Sequence, residues 1–256
     1  MAAIGIDIGS TSAKAVVLDD GGTLVFKCIR PTGWSSAEAA DGLRGELASA
    51  GFDPAGHACV ATGYGRLNVP YAGKLVTEIT CHARGAAYLF GEGPFTVIDI
   101  GGQDTKIISV AGGRVSDFIM NDKCSAGTGR FLEIMANSMG QSPAALIELA
   151  RQGSGVSISS LCTVFAESEV ISLIGQGKAR ADIAFGIVES IVDKVCAQCH
   201  RAGGSGPFYL TGGLCECPGL LEPLSRRLRS DVNTSPLGRY AGAIGAAVTA
   251  GTIGKG

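Results

Sequence analysis

Residues 98–106 read Ile-Asp-Ile-Gly-Gly-Gln-Asp-Thr-Lys, and this stretch decides the fold because the chain carries it in two versions. The earlier version, at residues 6–14, reads Ile-Asp-Ile-Gly-Ser-Thr-Ser-Ala-Lys. In each case an apolar run follows, then a Gly-Gly pair at 21–22 or 112–113, then a further apolar run. Apolar runs separated by glycine turns are typical of antiparallel strands, and self-similarity within a chain marks a repeated structural unit. The sequence therefore predicts a duplicated strand–turn–strand unit.

Segments with helical and strand periodicity alternate along the rest of the chain, which predicts an α/β fold with mixed sheets. The duplication divides the chain near residue 94 into two related lobes. We assign residues 1–93 and a closing helical segment at 237–256 to the first lobe, and residues 94–236 to the second. Helices are expected at 35–50, 76–90, 142–151, 164–175, 181–200, 220–229 and 237–252.

Each Asp-Ile-Gly turn combines groups that suit a phosphate site. The glycine lets the backbone approach a phosphate closely, and Ser10, Thr11 and Gln103 can donate hydrogen bonds to its oxygens. Lys14 and Lys106 can add positive charge. A single turn of this kind is common as a purely structural hairpin device. Two matched copies instead favour two phosphate loops that hold one nucleotide between the lobes.

Two further features bear on a nucleotide site. Asp7 and Asp99 suit a magnesium ion held through its water shell. Gly212 and Gly213 follow a predicted strand and suit the adenosine side of the site, although glycine pairs at strand ends are also frequent for steric reasons. The chain has neither the P-loop pattern G-x-x-x-x-G-K-S/T nor G-x-G-x-x-G after its first strand, so neither of those sites is implied.

Two cysteines precede helical runs. Cys124 lies in a glycine-rich turn before an apolar-periodic segment, and Cys162 comes before another helix, with Thr163 as the expected N-cap. A helix N-terminus favours negative charge, so a thiolate suits both positions. Residue type alone favours the alternative, two buried structural cysteines. The acidic side chains of Glu167 and Glu169 are expected to form a solvated face rather than a docking site.

The sequence assigns no role to four later cysteines, of which Cys196 continues the apolar stripe of a predicted helix. Cys196 and Cys199, followed by His200, match the haem-attachment string C-x-x-C-H, but the string ends a predicted amphipathic helix. A second metal site that adds Cys215 and Cys217 is the other alternative, and the tight C-x-C spacing disfavours it.

Composition narrows the classes of function. The 256 residues carry a formal net charge of −2, which gives no reason to expect nucleic acid or an anionic membrane as partner. No basic leader precedes the first strand and no apolar run is long enough to span a bilayer, so we expect a cytoplasmic protein. The odd number of cysteines, nine, argues against a disulfide framework. Cys81 and His82 are expected to serve packing or the scaffold on the nucleotide side.

The whole chain resembles a known group of ATPases. In its duplicated phosphate loops and late Gly-Gly pair it is similar to the acetate kinase, sugar kinase, heat-shock ATPase and actin superfamily. More narrowly, it resembles the ATP-dependent activators of 2-hydroxyacyl-CoA dehydratases, which are related to benzoyl-CoA reductase ATPase subunits and to reductases of double-cubane-cluster proteins. The stretches that carry the resemblance are 61–66, 77–83, 97–106, 121–133 and 162–170.

The resemblance implies an actin-like ATPase fold of two ribonuclease-H-like lobes with a nucleotide cleft between them. It also implies a homodimer that shares one 4Fe–4S cluster, held by Cys124 and Cys162 of each subunit. A cluster needs four thiolates, and a two-fold axis doubles the pair that one chain supplies. Gln103 and Asp104 are the expected catalytic residues, since they can position a water or the metal. The residues expected to contact ATP or ADP with Mg²⁺ are Asp7, Gly9, Ser10, Thr11, Ser12, Ala13, Lys14, Asp99, Gly101, Gly102, Gln103, Lys106, Gly127, Gly129, Gly212, Gly213 and Arg239.

These observations predict an ATP-driven one-electron reductase. Ferredoxin or flavodoxin is the expected electron donor, and a 2-hydroxyacyl-CoA dehydratase-like enzyme or a double-cubane-cluster protein is the expected acceptor. Neither nucleic acid nor a membrane is expected as partner. Two alternatives stay open on the sequence alone: a small-metabolite kinase of the same superfamily, and a non-enzymatic module in which ATP only gates an interaction.

Overall fold

The computed structural model describes residues 2–159 and 162–253. The strands are β1 (Ala3–Ile8), β2 (Ser12–Leu18), β3 (Leu24–Pro31), β4 (Ala58–Thr62), β5 (Lys74–Leu75), β6 (Phe95–Ile100), β7 (Thr105–Ala111), β8 (Arg114–Asn121), β9 (Phe208–Gly212) and β10 (Val232–Thr234). The helices are α1 (Ser36–Ser49), α2 (Glu78–Phe90), α3 (Gly129–Ser138), α4 (Pro143–Ala150), α5 (Thr163–Gly175), α6 (Arg180–Arg201), α7 (Leu221–Leu228) and α8 (Ala241–Ile253).

The strands form two five-stranded sheets with matching topology, β3-β2-β1-β4-β5 and β8-β7-β6-β9-β10. In each, a three-strand meander is extended from its first strand by a parallel strand, since β1 pairs in parallel with β4 and β6 with β9. The predicted α/β class and the predicted duplication are therefore both confirmed in the fold.

The chain divides into two compact units. The first consists of the residues up to Pro94, residues 108–117 and the chain from Leu237 onwards. The second consists of residues 95–107 and 118–236. The segment 108–117, which is the outer part of the β7–β8 hairpin, thus groups with the first unit.

In the first unit, alternation along β1 sends its side chains to two separate cores. Ile4, Ile6 and Ile8 pack with Leu43 and Leu47 of α1. The opposite face packs against α8, whose alanine-rich sequence lets its backbone come close to the sheet. All six residues of β1 are buried, as befits a central strand covered on both faces.

The second unit has one large core. β6 is likewise buried along its whole length, and Ile98 and Ile100 pack with Leu132 and Met135 of α3. The long helix α6 contributes Ile187 and other apolar residues to the same core. Helix α8 begins at Ala241, later than the expected 237, because Gly238–Tyr240 forms a turn of 3₁₀ helix first. Within the described part of the chain, no helix combines the length and the apolar character needed to cross a bilayer.

Candidate functional site

The two Asp-Ile-Gly turns close in the same way. The Gly9 N–H donates to the Ser12 carbonyl oxygen at 3.1 Å, and the Gly101 N–H donates to the Asp104 carbonyl oxygen at 2.9 Å. Each bond joins the end of a buried central strand to the start of the next strand of its meander. Gln103 is exposed at the tip of the second turn. The structure thus places the predicted hydrogen-bonding residues on two equivalent turns, one in each unit.

Each turn holds a buried carboxylate beside a lysine. Lys106 Nζ lies 3.3 Å from Asp99 Oδ2 and 2.7 Å from Asp104 Oδ1, and Lys14 Nζ lies 3.5 Å from Asp7 Oδ2. Both lysines, which were expected to add charge for a phosphate, are therefore engaged by the aspartate of their own turn. Asp104, expected to be catalytic, is the closest partner of Lys106 and fixes its ammonium group.

A Thr-Gly pair lies beside the aspartate of each turn, Thr62-Gly63 beside Asp7 and Thr211-Gly212 beside Asp99. The sequence alone did not predict this placement. Parallel pairing places Thr62 opposite Asp7 and Thr211 opposite Asp99, and the Thr211 hydroxyl donates to Asp99 Oδ1 at 2.9 Å. The signal was present as Thr-Gly at 62–63 and at 211–212, each at the end of an apolar run. Recognising it requires knowing which strands pair.

The glycine of each Thr-Gly pair lies against the carboxylate. Gly63 has φ 87° and Gly212 has φ 83°, a left-handed conformation that glycine adopts without strain. A Cβ atom at Gly63 would lie 2.5 Å from Asp7 Oδ1, and one at Gly212 would lie 2.9 Å from Asp99 Oδ1. Gly212 therefore packs against the aspartate of the second turn, in addition to any role beside an adenosine.

The Asp7 carboxylate is confined by α8 as well. A Cβ atom at Gly242 would lie 2.8 Å from Asp7 Oδ2 and 3.1 Å from His82 Nε2. The imidazole of the buried His82 and the Asp7 carboxylate thus both lie close to this one glycine. Arg239, expected to contact the nucleotide, lies in the 3₁₀ turn that leads into this helix.

The second turn is bonded directly to the start of α3. The Gly129 N–H donates to the Gly101 carbonyl oxygen at 2.9 Å, and the Arg130 N–H donates to the Gly102 carbonyl oxygen at 2.8 Å. Just beyond the turn, the Thr105 hydroxyl donates to the Gly127 carbonyl oxygen at 2.7 Å. Gly127 and Gly129, which were expected to contact the nucleotide, are thereby brought to the Asp99 turn.

Cys124 is half-buried and lies ahead of α3 rather than at its start. Helix α3 begins at Gly129 with Thr128 as N-cap residue, so the glycine-rich turn that contains Cys124 separates this cysteine from the helix. Residues 125–128 form an intervening turn, in which the Thr128 hydroxyl donates to the Ser125 carbonyl oxygen at 2.7 Å. The Asn121 side-chain amide donates to the Cys124 carbonyl oxygen at 2.7 Å and holds this turn in place.

Cys162 is exposed and is itself the N-cap residue of α5. The expectation that Thr163 caps this helix is therefore wrong, because Cys162 has the extended backbone, φ −91° and ψ 132°, and Thr163 is the first helical residue. The Thr163 side chain instead makes a 2.6 Å hydroxyl–hydroxyl hydrogen bond with Ser125. This bond joins the residue after Cys124 to the residue after Cys162.

The acidic residues of α5 also make internal contacts. Glu167 Oε1 accepts a hydrogen bond from the Ser138 hydroxyl at 2.9 Å, which ties α5 to α3. Glu169 accepts hydrogen bonds from the backbone N–H and the hydroxyl of Ser159. The expected solvated acidic face is therefore wrong, because both carboxylates anchor α5.

The exposed side of α5 carries four large apolar side chains together with Ser168 and Ser172. Spacings of three and seven residues place its outward side chains on one face of the helix. The exposed members of this apolar face are Val164, Phe165, Ile171 and Ile174. It begins immediately after Cys162, so an apolar surface adjoins an exposed thiol.

The four later cysteines lie in the core of the second unit. Cys196, Cys199 and Cys215 are buried there and Cys217 packs against it. Burial raises the pKa of the Cys196 and Cys199 thiols to about 12. Across residues 2–159 and 162–253, no group of three or more His, Cys, Asp or Glu side chains is arranged to hold a metal ion.

Two equivalent turns with buried aspartates, on two sheets of matching topology, define an actin-like ATPase framework. The chain belongs to the BadF/BadG/BcrA/BcrD ATPase family, which matches residues 4–250. The resemblance predicted from the sequence is thereby confirmed.

Known relatives resemble the chain over nearly its whole length. It is 42% identical over 250 residues to the (R)-2-hydroxyglutaryl-CoA dehydratase activating ATPase of Acidaminococcus fermentans, with 96% of each chain covered. It is 40% identical over 253 residues to the activator of lactoyl-CoA dehydratase of Anaerotignum propionicum, covering 98% of this chain and 97% of the relative. The crystal structure of the A. fermentans (R)-2-hydroxyglutaryl-CoA dehydratase component A matches with a TM-score of 0.94 at 40% identity, covering 100% of both chains.

Proposed function

We propose that this protein is an ATP-dependent activator that passes a low-potential electron to an iron–sulfur enzyme of the 2-hydroxyacyl-CoA dehydratase or double-cubane-cluster type. The relatives named as dehydratase activators support this function over a small-metabolite kinase. The observation that carries it is the pair of hydrogen bonds from Gly129 and Arg130 to the Asp99 turn. They connect a phosphate turn to the segment that contains Cys124.

ATP with Mg²⁺ is the nucleotide that suits the two turns. Asp7 and Asp99, which the lysines of their own turns already contact, are the carboxylates proposed to hold the magnesium ion through its water shell. Gln103 is exposed on its turn and orients the attacking water, whereas Asp104 holds Lys106 in place. ATP hydrolysis would change the contacts that the Gly102 N–H group and the Gln103 side chain could make with phosphate.

Cys124 and Cys162 are the residues that would hold a 4Fe–4S cluster, which supplies one-electron transfer when bound. Three observations fit such a site: the Ser125–Thr163 bond joins the two cysteine segments, Cys162 is exposed at a helix N-terminus, and one chain offers two thiols where a cluster needs four. A second copy of the chain supplies the remaining two thiols. The apolar face of α5 beside Cys162 provides a surface for that copy.

A change in the bound nucleotide would reach the cysteine thiols through the backbone of the second unit. A shift of the Asp99 turn pulls on the Gly129 and Arg130 N–H groups and so moves the start of α3. The turn at 125–128 and Cys124 move with it, because they are covalently continuous with α3. A ferredoxin or flavodoxin supplies the electron, and the reducing cytoplasm suits thiolate ligands.

The test is iron and sulfide analysis of anaerobically purified protein with the variants Cys124→Ser and Cys162→Ser. We expect about two iron atoms per wild-type chain, and a loss of most of this iron in either variant, because each removes a thiolate ligand. Cys28→Ser, a change in the first unit, is the control and keeps its iron. Iron at the wild-type level in both ligand variants would exclude the proposed cluster site.

A parallel assay measures steady-state ATP hydrolysis by the wild type. Turnover without phosphorylation of any small-molecule acceptor is expected. Phosphoryl transfer to a sugar or acid by iron-free protein would instead establish the kinase alternative, and an absence of turnover would favour a module in which ATP only gates an interaction.

A further inference from the structure

A hydrogen bond between the Ser125 and Thr163 hydroxyls joins the two cysteine-bearing segments directly. Its length, 2.6 Å, is at the short end of the range for hydroxyl pairs. Thr163 is buried and Ser125 is half-buried, so water competes little for this bond. Each hydroxyl belongs to the residue directly after a cysteine.

We propose that Ser125 and Thr163 are positioning residues for the Cys124 and Cys162 thiolates. The inference rests on the proposed cluster site. Neighbouring Cα atoms are about 3.8 Å apart, so a bond between residues 125 and 163 restricts the separation of residues 124 and 162. Groups that orient metal ligands in this way commonly influence metal affinity by about 10- to 100-fold.

Other contacts hold each segment in place but do not join the two cysteine residues. The Asn121 amide fixes the Cys124 carbonyl within its own turn. Glu167 bonds to Ser138 and so ties α5 to α3. Glu167 lies more than one helical turn after Cys162, so this bond does not fix the cysteine itself. The hydroxyl pair is therefore the contact whose loss lets one cysteine move relative to the other while both helices stay packed.

The test compares Ser125→Ala, Thr163→Val and the double variant in anaerobically loaded protein. The measured quantities are the rate of iron release to a chelator and the electron paramagnetic resonance spectrum of the reduced cluster. We expect each single variant to release iron about tenfold faster than the wild type. The double variant should be no faster than the single variants, because all three lose the same bond.

Two further variants separate positioning from packing. Thr163→Ser keeps the hydroxyl and loses only a methyl group, so it should release iron at close to the wild-type rate. Ser168→Ala removes an exposed hydroxyl that donates to the Val164 carbonyl within α5, and it should behave as the wild type. If Thr163→Val does not fold, as judged by circular dichroism, Ser125→Ala still provides the comparison.

Wild-type release rates and spectra in Ser125→Ala and Thr163→Val would overturn the inference, and so would effects that multiply in the double variant. If Cys124→Ser and Cys162→Ser lose iron while the hydroxyl variants behave as the wild type, only the positioning role fails. If the cysteine variants keep wild-type iron, the cluster site and the positioning role fail together.

Discussion

Lys106 Nζ lies 3.3 Å from Asp99 Oδ2, and both side chains are at most 3% exposed. In the first unit the equivalent pair, Lys14 and Asp7, is separated by 3.5 Å, and its side chains are 13% and 6% exposed. Both turns therefore pair a buried aspartate with a lysine. The second pair is buried more deeply, and Asp104 contacts its lysine while Thr211 donates to its aspartate.

Lys106→Met should destabilise the protein more than Lys14→Met. Removal of Lys106 leaves the Asp99 carboxylate buried without its cation, which typically costs about 3–5 kcal/mol. Lys14 makes a longer contact and its side chain is 13% exposed, so water can partly replace it and its loss should cost less than that of Lys106. Urea unfolding followed by circular dichroism measures both, and equal losses of unfolding free energy would contradict the structural difference.

Gly242→Ala should weaken ATP binding and slow hydrolysis. Its Cβ atom would lie 2.8 Å from Asp7 Oδ2, so the carboxylate has to move. We expect ATPase activity to fall about tenfold or more, since small displacements of positioned groups are costly. Gly251→Ala, in the same helix, is the control, because its Cβ atom would meet only Ala3 Cβ at an ordinary 3.6 Å. Full activity of Gly242→Ala would show that the position of Asp7 is not critical.

The duplicated framework is predictable because its signal is local. An Asp-Ile-Gly stretch between apolar runs specifies a strand end and a turn, and two such stretches specify two related sheets. The roles of Thr62 and Thr211 were not predictable, because they depend on the register of parallel strands that are far apart in sequence. Each threonine is seen to lie opposite an aspartate only once that pairing is known.

Alkylation should distinguish the cysteines of cluster-free, reduced protein at pH 8. Cys162 is exposed and should react first with iodoacetamide. Cys196 and Cys199 are buried, and burial raises the pKa of their thiols to about 12, so almost none of the reactive thiolate is present at pH 8. Peptide mass spectrometry measures the order of labelling. Rapid native-state labelling of Cys199 would contradict its place in the core.

The same burial predicts a loss of stability at alkaline pH. The pKa of the Cys59 and Cys199 thiols rises from 9.0 to about 12 in the folded chain. The folded state therefore binds these protons more tightly than the unfolded state. Their contribution to stability is fully present below pH 9 and is lost as the pH rises from about 9 to 12. Unfolding free energies measured across this range should fall, and Cys59→Ala should show a shallower decline than the wild type.

Phe165→Glu should convert a dimer into a monomer. Phe165 is 67% exposed on the apolar face of α5, so the change removes little from the core but places a charge on the surface proposed for the second copy. Leu67→Glu, at a residue of the first unit that is 77% exposed, is the matched control. Light scattering measures the mass of each. A dimeric Phe165→Glu would exclude this face as the contact.

The local structure around Cys162 differs from the structure that its sequence predicted. Thr163 was a reasonable N-cap by residue type, yet a cap is defined by backbone conformation, and Cys162 has the extended geometry. Glu167 and Glu169 were expected to face solvent because their charge was visible and their partners, Ser138 and Ser159, were not adjacent in sequence.

Helices α3 and α5 direct their positive ends at different chemical groups. The first N–H groups of α3, from Gly129 and Arg130, are occupied by the carbonyl oxygens of the Asp99 turn. The start of α5 instead has Cys162 as its N-cap residue, and the Cys162 side chain makes no capping hydrogen bond. The two thiols of one chain are therefore electrostatically inequivalent. A metal cluster shared by two such chains would be held by two kinds of cysteine, each present twice, and this inequality would distinguish its iron atoms spectroscopically.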